Sequence, residues 1–314
     1  MKKAVLIGGG GFIGQHVTRY LLKDGYKVEM LCRSASAEIS TVAQDVEVHY
    51  GDYANREFLR KVVKGASAVV HLAHDSLQLS QVCDMADEYQ RNIAPAIQLM
   101  EESIDAGVTR FIFVSSGGTV YGNPLSRSPL REDAAAQPIS LYGTSKLCVE
   151  HIVHLYCEQR CLPGIVVRPA NAYGPGQIPF KGQGLVATAF ASAIQGKPIT
   201  IFGDGGAIRD YVHVDDIAYA ITELLRAGQI GEVYNVGSGV GTSVLQLIEE
   251  YLLPVIKKSG YDLRLERKDA RAIDVAYNVL DVQKLSQCIN FSPVTLADGV
   301  SSSWGWVQNH LSRN

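Results

Sequence analysis

The sequence predicts an α/β fold built on a doubly wound parallel sheet, with a smaller C-terminal lobe. Short apolar runs rich in β-forming residues alternate with helical segments through about the first 170 residues. A glycine-rich turn joins the first run to the first helix, and a later helix carries Tyr142 and Lys146 on one face. Because ligands of such sheets bind at the carboxyl ends of the strands, both features predict one site at that edge.

The composition fits a large folded chain and excludes several classes of protein. The 314 residues suffice for one large domain or two lobes, and the net charge of −3 gives no basic field that would attract nucleic acid. No apolar run reaches membrane-spanning length, so no membrane partner is expected. The 6 cysteines form no Cys-x-x-Cys pair and no group with histidine, which predicts no metal site and reduced thiols in a cytoplasmic protein.

The first β-α unit contains the glycine-rich turn. A strand at residues 3–8 leads into four consecutive glycines, and a helix is expected over residues 15–23. A turn without Cβ atoms lets the backbone approach a pyrophosphate, which the free N–H groups of the helix then hold. This strand–turn–helix context predicts a Rossmann-type dinucleotide site. Its expected members are Gly8, Gly11, Phe12, Ile13 and Gly14.

The end of the second strand, Lys27 to Cys32, bears on the choice between NAD and NADP. An acid at this place accepts from the ribose 2′-hydroxyl of NAD, whereas an arginine accommodates the 2′-phosphate of NADP. Here no acid stands at Cys32, and Arg33 follows it. The pattern favours NADP or dual use over strict NAD use, and both cofactors stay open.

The third and fourth strands end in further candidate cofactor contacts. After the strand at residues 46–49, Asp52 is expected to accept from the adenine amino group and Tyr53 to flank the ring. After the strand at residues 68–72, Leu72 and Ala73 are expected to face the cofactor with their backbone. The nearby His71 and His74 are of the kind that is usually structural.

A long helix is predicted over residues 78–106, with a kink at Pro95 because proline removes a backbone hydrogen bond. Asn92 lies just before the kink and is expected to hold the active-site strand or a bridging water beside the cofactor.

The fifth strand and the helix after it carry the chemistry. The strand at residues 110–115 ends in small and hydroxyl residues, among them Ser116 and Thr119. In the helix at residues 140–159, the spacing of four residues places Tyr142 and Lys146 one turn apart. A free phenol has a pKa near 10, and a neighbouring ammonium favours the phenolate. A strand-end hydroxyl, a phenol and a cation are the parts needed to move a proton on or off a carbinol. A sixth strand at residues 164–168 completes the sheet.

Several motifs occur in a fixed order over nearly the whole chain, and together they resemble those of a known family. The chain resembles an extended short-chain dehydrogenase/reductase of the nucleotide-sugar epimerase/dehydratase group, similar to UDP-glucose 4-epimerases. The motifs that carry the resemblance are Gly8-x-x-Gly11-x-x-Gly14, Gly51-Asp52, His71-Leu72-Ala73, Ser115-Ser116-Gly117-Gly118-Thr119-Val120-Tyr121-Gly122, Tyr142-Gly-Thr-Ser-Lys146, Arg168-Pro-Ala-Asn171-Ala-Tyr-Gly-Pro175, Phe202-Gly-Asp-Gly, Arg209-Asp-Tyr-Val-His-Val-Asp-Asp216 and Tyr234-Asn-Val-Gly-Ser-Gly239.

The resemblance implies roles for individual residues. Tyr142 is the implied acid/base, and Lys146 lowers its pKa and binds the nicotinamide ribose. The implied ligands of the nucleotide diphosphate are Asn171, Arg209 and Arg271. The family's catalytic serine or threonine falls on Gly117, so Ser116 or Thr119 must supply that hydroxyl and bind the sugar; both alternatives stay open.

The implied reaction is redox at C4 of a nucleotide diphosphate hexose. The 4,6-dehydratases of the group place Asp-Glu after the strand-end hydroxyl, and here Gly-Gly-Thr occupies those places. A 4-epimerase is preferred over an NAD(P)H-dependent 4-ketoreductase. A non-catalytic cofactor sensor is disfavoured, since such proteins lose the tyrosine and lysine that this chain keeps.

The domain division follows from the same resemblance. The dinucleotide-binding domain is expected at residues 1–170 with about 207–237, and the nucleotide-sugar lobe at 171–206 and 238–314. A loop at residues 176–184 is expected to cover the sugar. A final helix is predicted at 294–310, with Trp304 and Trp306 packed. The helices at 78–106 and 140–159 pair subunits in this family, so a homodimer is expected, acting in polysaccharide biosynthesis.

Overall fold

The computed structural model describes residues 2–33, 46–75, 84–181, 184–270 and 275–312. Its centre is a 7-stranded sheet with the order β3-β2-β1-β4-β5-β6-β10, in which every neighbouring pair is parallel. The strands are β1 (Lys3–Ile7), β2 (Lys27–Cys32), β3 (Glu47–Tyr50), β4 (Ala68–His71), β5 (Arg110–Val114), β6 (Gly164–Pro169) and β10 (Val233–Val236).

The order of the strands creates a crevice at one edge of this sheet. From β1 the chain runs outward to β2 and β3, and then returns to the other side of β1 to form β4, β5 and β6. The direction of winding therefore reverses between β1 and β4, and ligands of open α/β sheets bind at such a reversal. The predicted doubly wound parallel sheet is confirmed, with β10 added as a seventh strand.

The helices cover both faces of the central sheet and explain why its strands are almost wholly apolar. Parallel strands buried on two sides read as continuous Val, Ile and Leu runs rather than as alternating patterns. The helices are α1 (Phe12–Lys23), α2 (Arg56–Val63), α3 (Met85–Glu88, Tyr89–Ile93 and Ala94–Asp105), α4 (Gly117–Val120), α5 (Leu141–Arg160), α6 (Leu185–Gln195), α7 (Val214–Ala227), α8 (Val244–Gln246, Leu247–Leu252 and Leu253–Lys258), α9 (Gln283–Cys288) and α10 (Leu296–Ser312).

Helix α3 has a π-helical turn directly before Pro95, the place where a kink is expected. A π-helical turn, Tyr89–Ile93, lies directly before the α-helical segment Ala94–Asp105, which has Pro95 in its first turn. Proline has no N–H for the preceding turn, and a widened turn accommodates its ring. Residues 78–83 of the predicted helix lie outside the described part of the chain. The π turn places Asn92 inside the fold, where it is 3% exposed.

A second layer of strands lies beyond β6. It consists of β7 (Asn171–Tyr173), β9 (Ile208–His213), β11 (Gly241–Ser243) and β13 (Tyr277–Asn278), with β8 (Pro198–Phe202) and β12 (Arg264–Lys268) as a separate pair. A second core packs between these strands and helices α6, α8 and α10. In it Trp304 lies edge-on to Phe190, while Trp306 is half-buried and stacks on His310.

Segment 207–237 contributes to both layers. β9 pairs with the strands of the second layer, whereas α7 packs on α1 and β10 extends the central sheet. Among the described residues, no helix has the length and apolar character needed to cross a membrane.

Candidate active site

The glycine turn between β1 and α1 is held in a form that only glycine can adopt without strain. Gly8 has a φ of +86°, and a Cβ there would lie 2.8 Å from the backbone nitrogen of Ala73. A Cβ on Gly14 would lie 2.6 Å from the carbonyl oxygen of Gly9. The turn therefore packs closely against the end of β4 and against its own helix.

The N-terminus of α1 fits the pyrophosphate of a dinucleotide. The helix starts at Phe12, three residues earlier than the sequence suggested, with Gly11 as its N-cap. In the part of the chain that is described, no side chain caps its first N–H groups, and its first turn has no acidic residue. Free N–H groups and the positive end of the helix dipole favour an anion at this place. The residues present therefore suit a dinucleotide cofactor.

The residue that follows β2 is engaged in an ion pair. The guanidinium of Arg33 binds the carboxylate of Asp75, which lies beyond the end of β4 and also faces Arg91 at 3.5 Å. Arg33 is 65% exposed, so the pair lies at the surface of the crevice. In this arrangement the positive charge that suggested NADP already has a carboxylate partner.

Asp52 and Tyr53 lie at the end of β3 in different environments. Asp52 is exposed and accepts a hydrogen bond from the N–H of Ala54. Tyr53 is buried, and its hydroxyl donates to the carbonyl of Arg91 at 2.7 Å. The Tyr53 side chain thus holds α3 in place, and its expected contact with an adenine ring stays a prediction.

The predicted catalytic pair, Tyr142 and Lys146, lies at the start of α5. Ser140 caps this helix by accepting from the N–H of Gly143, and Tyr142 follows in the first turn. Lys146 is 2% exposed, and its ammonium donates to the carbonyl of Val114 at 2.9 Å and lies 5.7 Å from the centre of the Tyr142 ring. Burial lowers the pKa of Lys146 to about 7, although the carboxylates of Glu150 and Glu88 act to raise it.

The strand-end hydroxyls lie around α4. Ser116 is buried and is the residue before this short helix, whereas Thr119 is half-buried with Oγ1 3.5 Å from the Ser116 carbonyl. Asn171 approaches the same place, because a Cβ on Gly118 would lie 2.9 Å from its Oδ1 and 3.9 Å from Ser116 Oγ. The structure therefore brings Ser116 and Asn171 together at the carboxyl edge of the sheet.

Gly117, where the family places its catalytic hydroxyl, has no room for a side chain. A Cβ there would lie 2.6 Å from Leu280 Cδ1 and 3.0 Å from the carbonyl oxygen of Arg168. Leu280 therefore occupies the space that a serine side chain would need at this position.

A buried ion pair forms the floor beneath the catalytic helix. Arg168 on β6 binds the carboxylate of Glu150 on α5, with 2.6 Å between Nη2 and Oε2, and both side chains are almost completely buried. Ser115 also donates to Glu150, and Arg168 donates to the hydroxyl of Tyr121 at 2.8 Å. Buried charges are tolerated when they are paired and fully hydrogen-bonded. This network fixes α5 to the strands that end in the site.

The end of β4 closes the crevice between the glycine turn and α3. The N–H groups of Leu72 and Ala73 both donate to the carbonyl of Ile7, so this segment continues beside β1. Asn92 accepts from the N–H of Asp75 at 2.7 Å and donates to Glu88 at 3.1 Å. It thus anchors the segment after β4, in keeping with the expectation that it holds a strand of the site.

The candidate diphosphate ligands belong to the second layer. Asn171 opens β7, and Arg209 is half-buried in β9, where its Nη1 donates to the Ile208 carbonyl at 2.9 Å. β7 and β9 pair with each other, and Asn171 is the register partner of Tyr211. Arg271 lies outside the described residues. The loop predicted to cover the sugar is described only in part, at residues 176–181 and 184.

Sequence reasoning missed four polar side chains of the site: His74, Glu88, Glu150 and Arg168. One signal was available, since Glu150 lies four residues after Lys146 on the same helical face. The others come together through the tertiary structure alone. His71 is also buried, and its ring nitrogens lack partners among the described residues; burial lowers its pKa well below the usual value, so the ring is neutral.

Comparison with known proteins gives consistent results. Residues 4–237 match the model of the NAD dependent epimerase/dehydratase family. A UDP-glucose 4-epimerase of Neisseria meningitidis serogroup C is 31% identical, over 99% of this chain and 98% of its own. The UDP-glucose 4-epimerase of Thermotoga maritima, solved with UDP-glucose, is similar with a TM-score of 0.91 and 32% identity, covering 98% of this chain and 99% of that one. The UDP-glucose 4-epimerase of Thermus thermophilus, solved with NAD, gives 0.86 and 27%, with coverage of 98% and 99%.

Proposed function

The chain belongs to the NAD-dependent epimerase/dehydratase family, and from this premise we propose that it is a 4-epimerase of a nucleotide diphosphate hexose. The observation that carries the proposal is the Lys146–Val114 hydrogen bond, which ties the helix of Tyr142 to the end of β5, the strand that precedes Ser116 and Thr119. The relatives described above are named UDP-glucose 4-epimerases and supply the first substrate to test, UDP-glucose.

The cofactor is NAD, held by the glycine turn and the N-terminus of α1. When bound, it would supply a hydride acceptor for C4 of the sugar and the hydride donor for the return step. Lys146 contributes a hydrogen-bond donor and, when protonated, a charge beside Tyr142. The Arg33–Asp75 ion pair supports NAD over NADP, because a 2′-phosphate would have to compete with Asp75 for this exposed arginine.

Tyr142 moves the proton in this mechanism. Its phenolate takes the proton of the C4 hydroxyl as hydride leaves C4. After the 4-keto sugar has turned over in the pocket, hydride returns to the other face of C4 and Tyr142 returns the proton to the C4 oxygen. Ser116 or Thr119 positions that proton. Asn171, Arg209 and Arg271 hold the diphosphate, which keeps the intermediate at high effective concentration during its rotation.

The 4-ketoreductase alternative has less support. Such a reductase takes NAD(P)H from solution at each turnover, which the missing acid at Cys32 and the neighbouring Arg33 would suit, but Asp75 competes for that arginine. Dehydration is also disfavoured, since α4 (Gly117–Val120) contains no carboxylate that would eliminate water across C5 and C6.

The direct test is to denature the purified protein and identify the released nucleotide, and to assay UDP-galactose formation from UDP-glucose without added cofactor. We expect NAD close to one equivalent and reversible conversion. An empty protein that reduces a 4-keto sugar only with added NADPH would contradict the proposal and support the reductase.

We also propose that the active protein is a homodimer formed through α3 and α5. These helices lie side by side, with Tyr156 donating to Glu101 at 3.2 Å, and they expose Met85 and Tyr89 (45% each) and Leu155 (45%). Exposed large apolar side chains on adjacent helices are typical of an interface. Leu155→Glu should convert the dimer into a monomer in light scattering, whereas Leu125→Glu, on a fully exposed loop residue, should not. A monomeric wild-type protein would contradict this proposal.

We further propose that the reaction belongs to nucleotide-sugar metabolism in the cytoplasm. The five cysteines in the described residues are free thiols, which supports a reducing compartment. We propose that the product supplies polysaccharide biosynthesis, because a nucleoside diphosphate is a leaving group for sugar transfer. Loss of a surface or capsular sugar in a deletion strain is the expected result, and an unchanged glycan composition would contradict it.

A further inference from the structure

Two polar side chains outside the catalytic pair, His74 and Glu88, adjoin the helical turn that carries Tyr142. His74 lies three residues beyond β4, and its ring centre is 4.6 Å from that of Tyr142, with an interplanar angle of 65°. This edge-to-face contact is a favoured geometry for two rings and restricts both. Glu88 is 4% exposed and lies 3.2 Å from His74 Nε2.

The hydrogen bonds around His74 determine which of its nitrogens carries a proton. Ser145 donates its hydroxyl to the carbonyl of Tyr142 at 3.0 Å, so its oxygen is left to accept from His74 Nε2 at 3.1 Å. The Glu88 carboxylate is likewise an acceptor. Since both neighbours of Nε2 accept, Nε2 carries the hydrogen. His74 therefore contacts Tyr142 twice, through the phenol ring and, by way of Ser145, through the backbone.

Glu88 is in turn fixed from the other side. Asn92, in the π turn of α3, donates to Glu88 at 3.1 Å and accepts from the N–H of Asp75 at 2.7 Å. A closed path thus runs from the residue after His74, through Asn92 and Glu88, and back to the imidazole. A buried carboxylate is tolerated when it is paired in this way, and the pairing gives His74 a defined orientation.

We propose that His74, held by Glu88 and Ser145, is a positioning residue that fixes the Tyr142 ring for proton transfer. This inference rests on the proposed function, to which it adds His74 as a residue that positions Tyr142. The imidazole packs against the phenol ring at 4.6 Å and so restricts the orientations that Tyr142 can adopt. Glu88 adds a second effect, since its charge helps to keep Lys146 protonated against burial.

The kinetic test compares His74→Leu with His74→Gln. Leucine fills the space but cannot donate to Glu88 or Ser145, whereas the amide nitrogen of glutamine is placed to do so. We expect His74→Leu to lower kcat by about 10- to 100-fold, as a misplaced catalytic group does. KM and the amount of bound NAD should stay within about threefold of wild type, and His74→Gln should recover most of the loss. His49→Leu is the matched control, because it removes an imidazole paired with a carboxylate, Glu29, at 3.0 Å, away from Tyr142.

The second readout is the crystal structure of His74→Leu, which does not depend on turnover. We expect the Tyr142 ring to be displaced or to occupy more than one rotamer. The inference is overturned if the ring superposes on that of wild type, if kcat of His74→Leu stays within twofold, or if the Leu and Gln variants lose kcat equally. If wild-type protein fails to epimerise any nucleotide sugar, the proposed function fails, whereas the position of the ring still tests the role of His74.

Discussion

The ammonium of Lys146 donates to the carbonyl of Val114 at 2.9 Å, which ties the helix of Tyr142 to the strand that ends in Ser115 and Ser116. This hydrogen bond joins two parts of the chain that a polar loop separates in the sequence. Lys146 is completely buried there and has its pKa lowered to about 7 by that burial. One side chain thus determines both the geometry and the charge next to the phenol.

Replacing Tyr142 with Phe should lower kcat by about 100- to 10,000-fold, because the general acid/base is removed. Bound NAD should be retained, since the glycine turn is untouched. Steady-state assays and nucleotide analysis of denatured protein measure the two effects. Tyr219→Phe is the control: it removes a hydroxyl on α7 that donates to the Asn290 carbonyl at 2.9 Å, outside the site, and it should keep turnover. Full activity in Tyr142→Phe would refute its role as the base.

Ser116→Ala and Thr119→Val should separate the two candidate hydroxyls. Thr119 Oγ1 is turned back toward the Ser116 carbonyl, whereas Ser116 is buried beside Asn171. We therefore expect Ser116→Ala to lower kcat by about 10-fold or more, and Thr119→Val to lower it by less, as judged from initial rates at saturating substrate. The reverse order would assign the hydroxyl to Thr119.

Introducing the family's usual residue by Gly117→Ser should destabilise the protein. The new Cβ would meet Leu280 Cδ1 at 2.6 Å and the Arg168 carbonyl at 3.0 Å, which is overpacking. We expect a loss of about 1–3 kcal/mol in the free energy of unfolding, measured in urea. Adding Leu280→Ala opens space, so the double variant should lose less than the sum of the single losses. Strict additivity would mean that Leu280 does not occupy that space.

Asp216→Asn should stabilise the protein at neutral pH but not in acid. Burial raises the pKa of Asp216 to about 6, although the N–H of Val294 donates to it and acts to lower the pKa. The folded state therefore holds this proton more tightly than the unfolded state, and the cost of ionising Asp216 grows as pH rises from about 4 to about 6.

The asparagine has no such cost and keeps an acceptor for Val294. We expect a gain on the order of 1 kcal/mol above about pH 6 that vanishes below about pH 4. Urea unfolding at several pH values measures it. A gain that is equal at all pH values would show that ionisation is not its cause.

The sequence alone determined the fold and the placement of Tyr142 and Lys146 on one helical face, since each depends on local patterns. Apolar strand runs, the glycine turn and the four-residue spacing of Tyr142 and Lys146 are short-range features that the chain displays directly. An irregularity at Pro95 was also predictable, because proline acts on its own helix, and a π turn lies directly before it. That β10 joins the sheet could not be predicted from local patterns, because it depends on a long-range pairing with β6.

Only the tertiary structure decided how distant polar groups meet. The Glu150–Arg168 pair joins a helix to a strand, and the Arg33–Asp75 pair joins the ends of β2 and β4. The His74–Glu88 contact likewise links the end of β4 to α3 and places an imidazole against Tyr142. Such contacts depend on the packing of elements far apart in the chain, and residue spacing carries no information about them. The physical reason is that local propensity sets which elements form, whereas burial determines which charges must find partners.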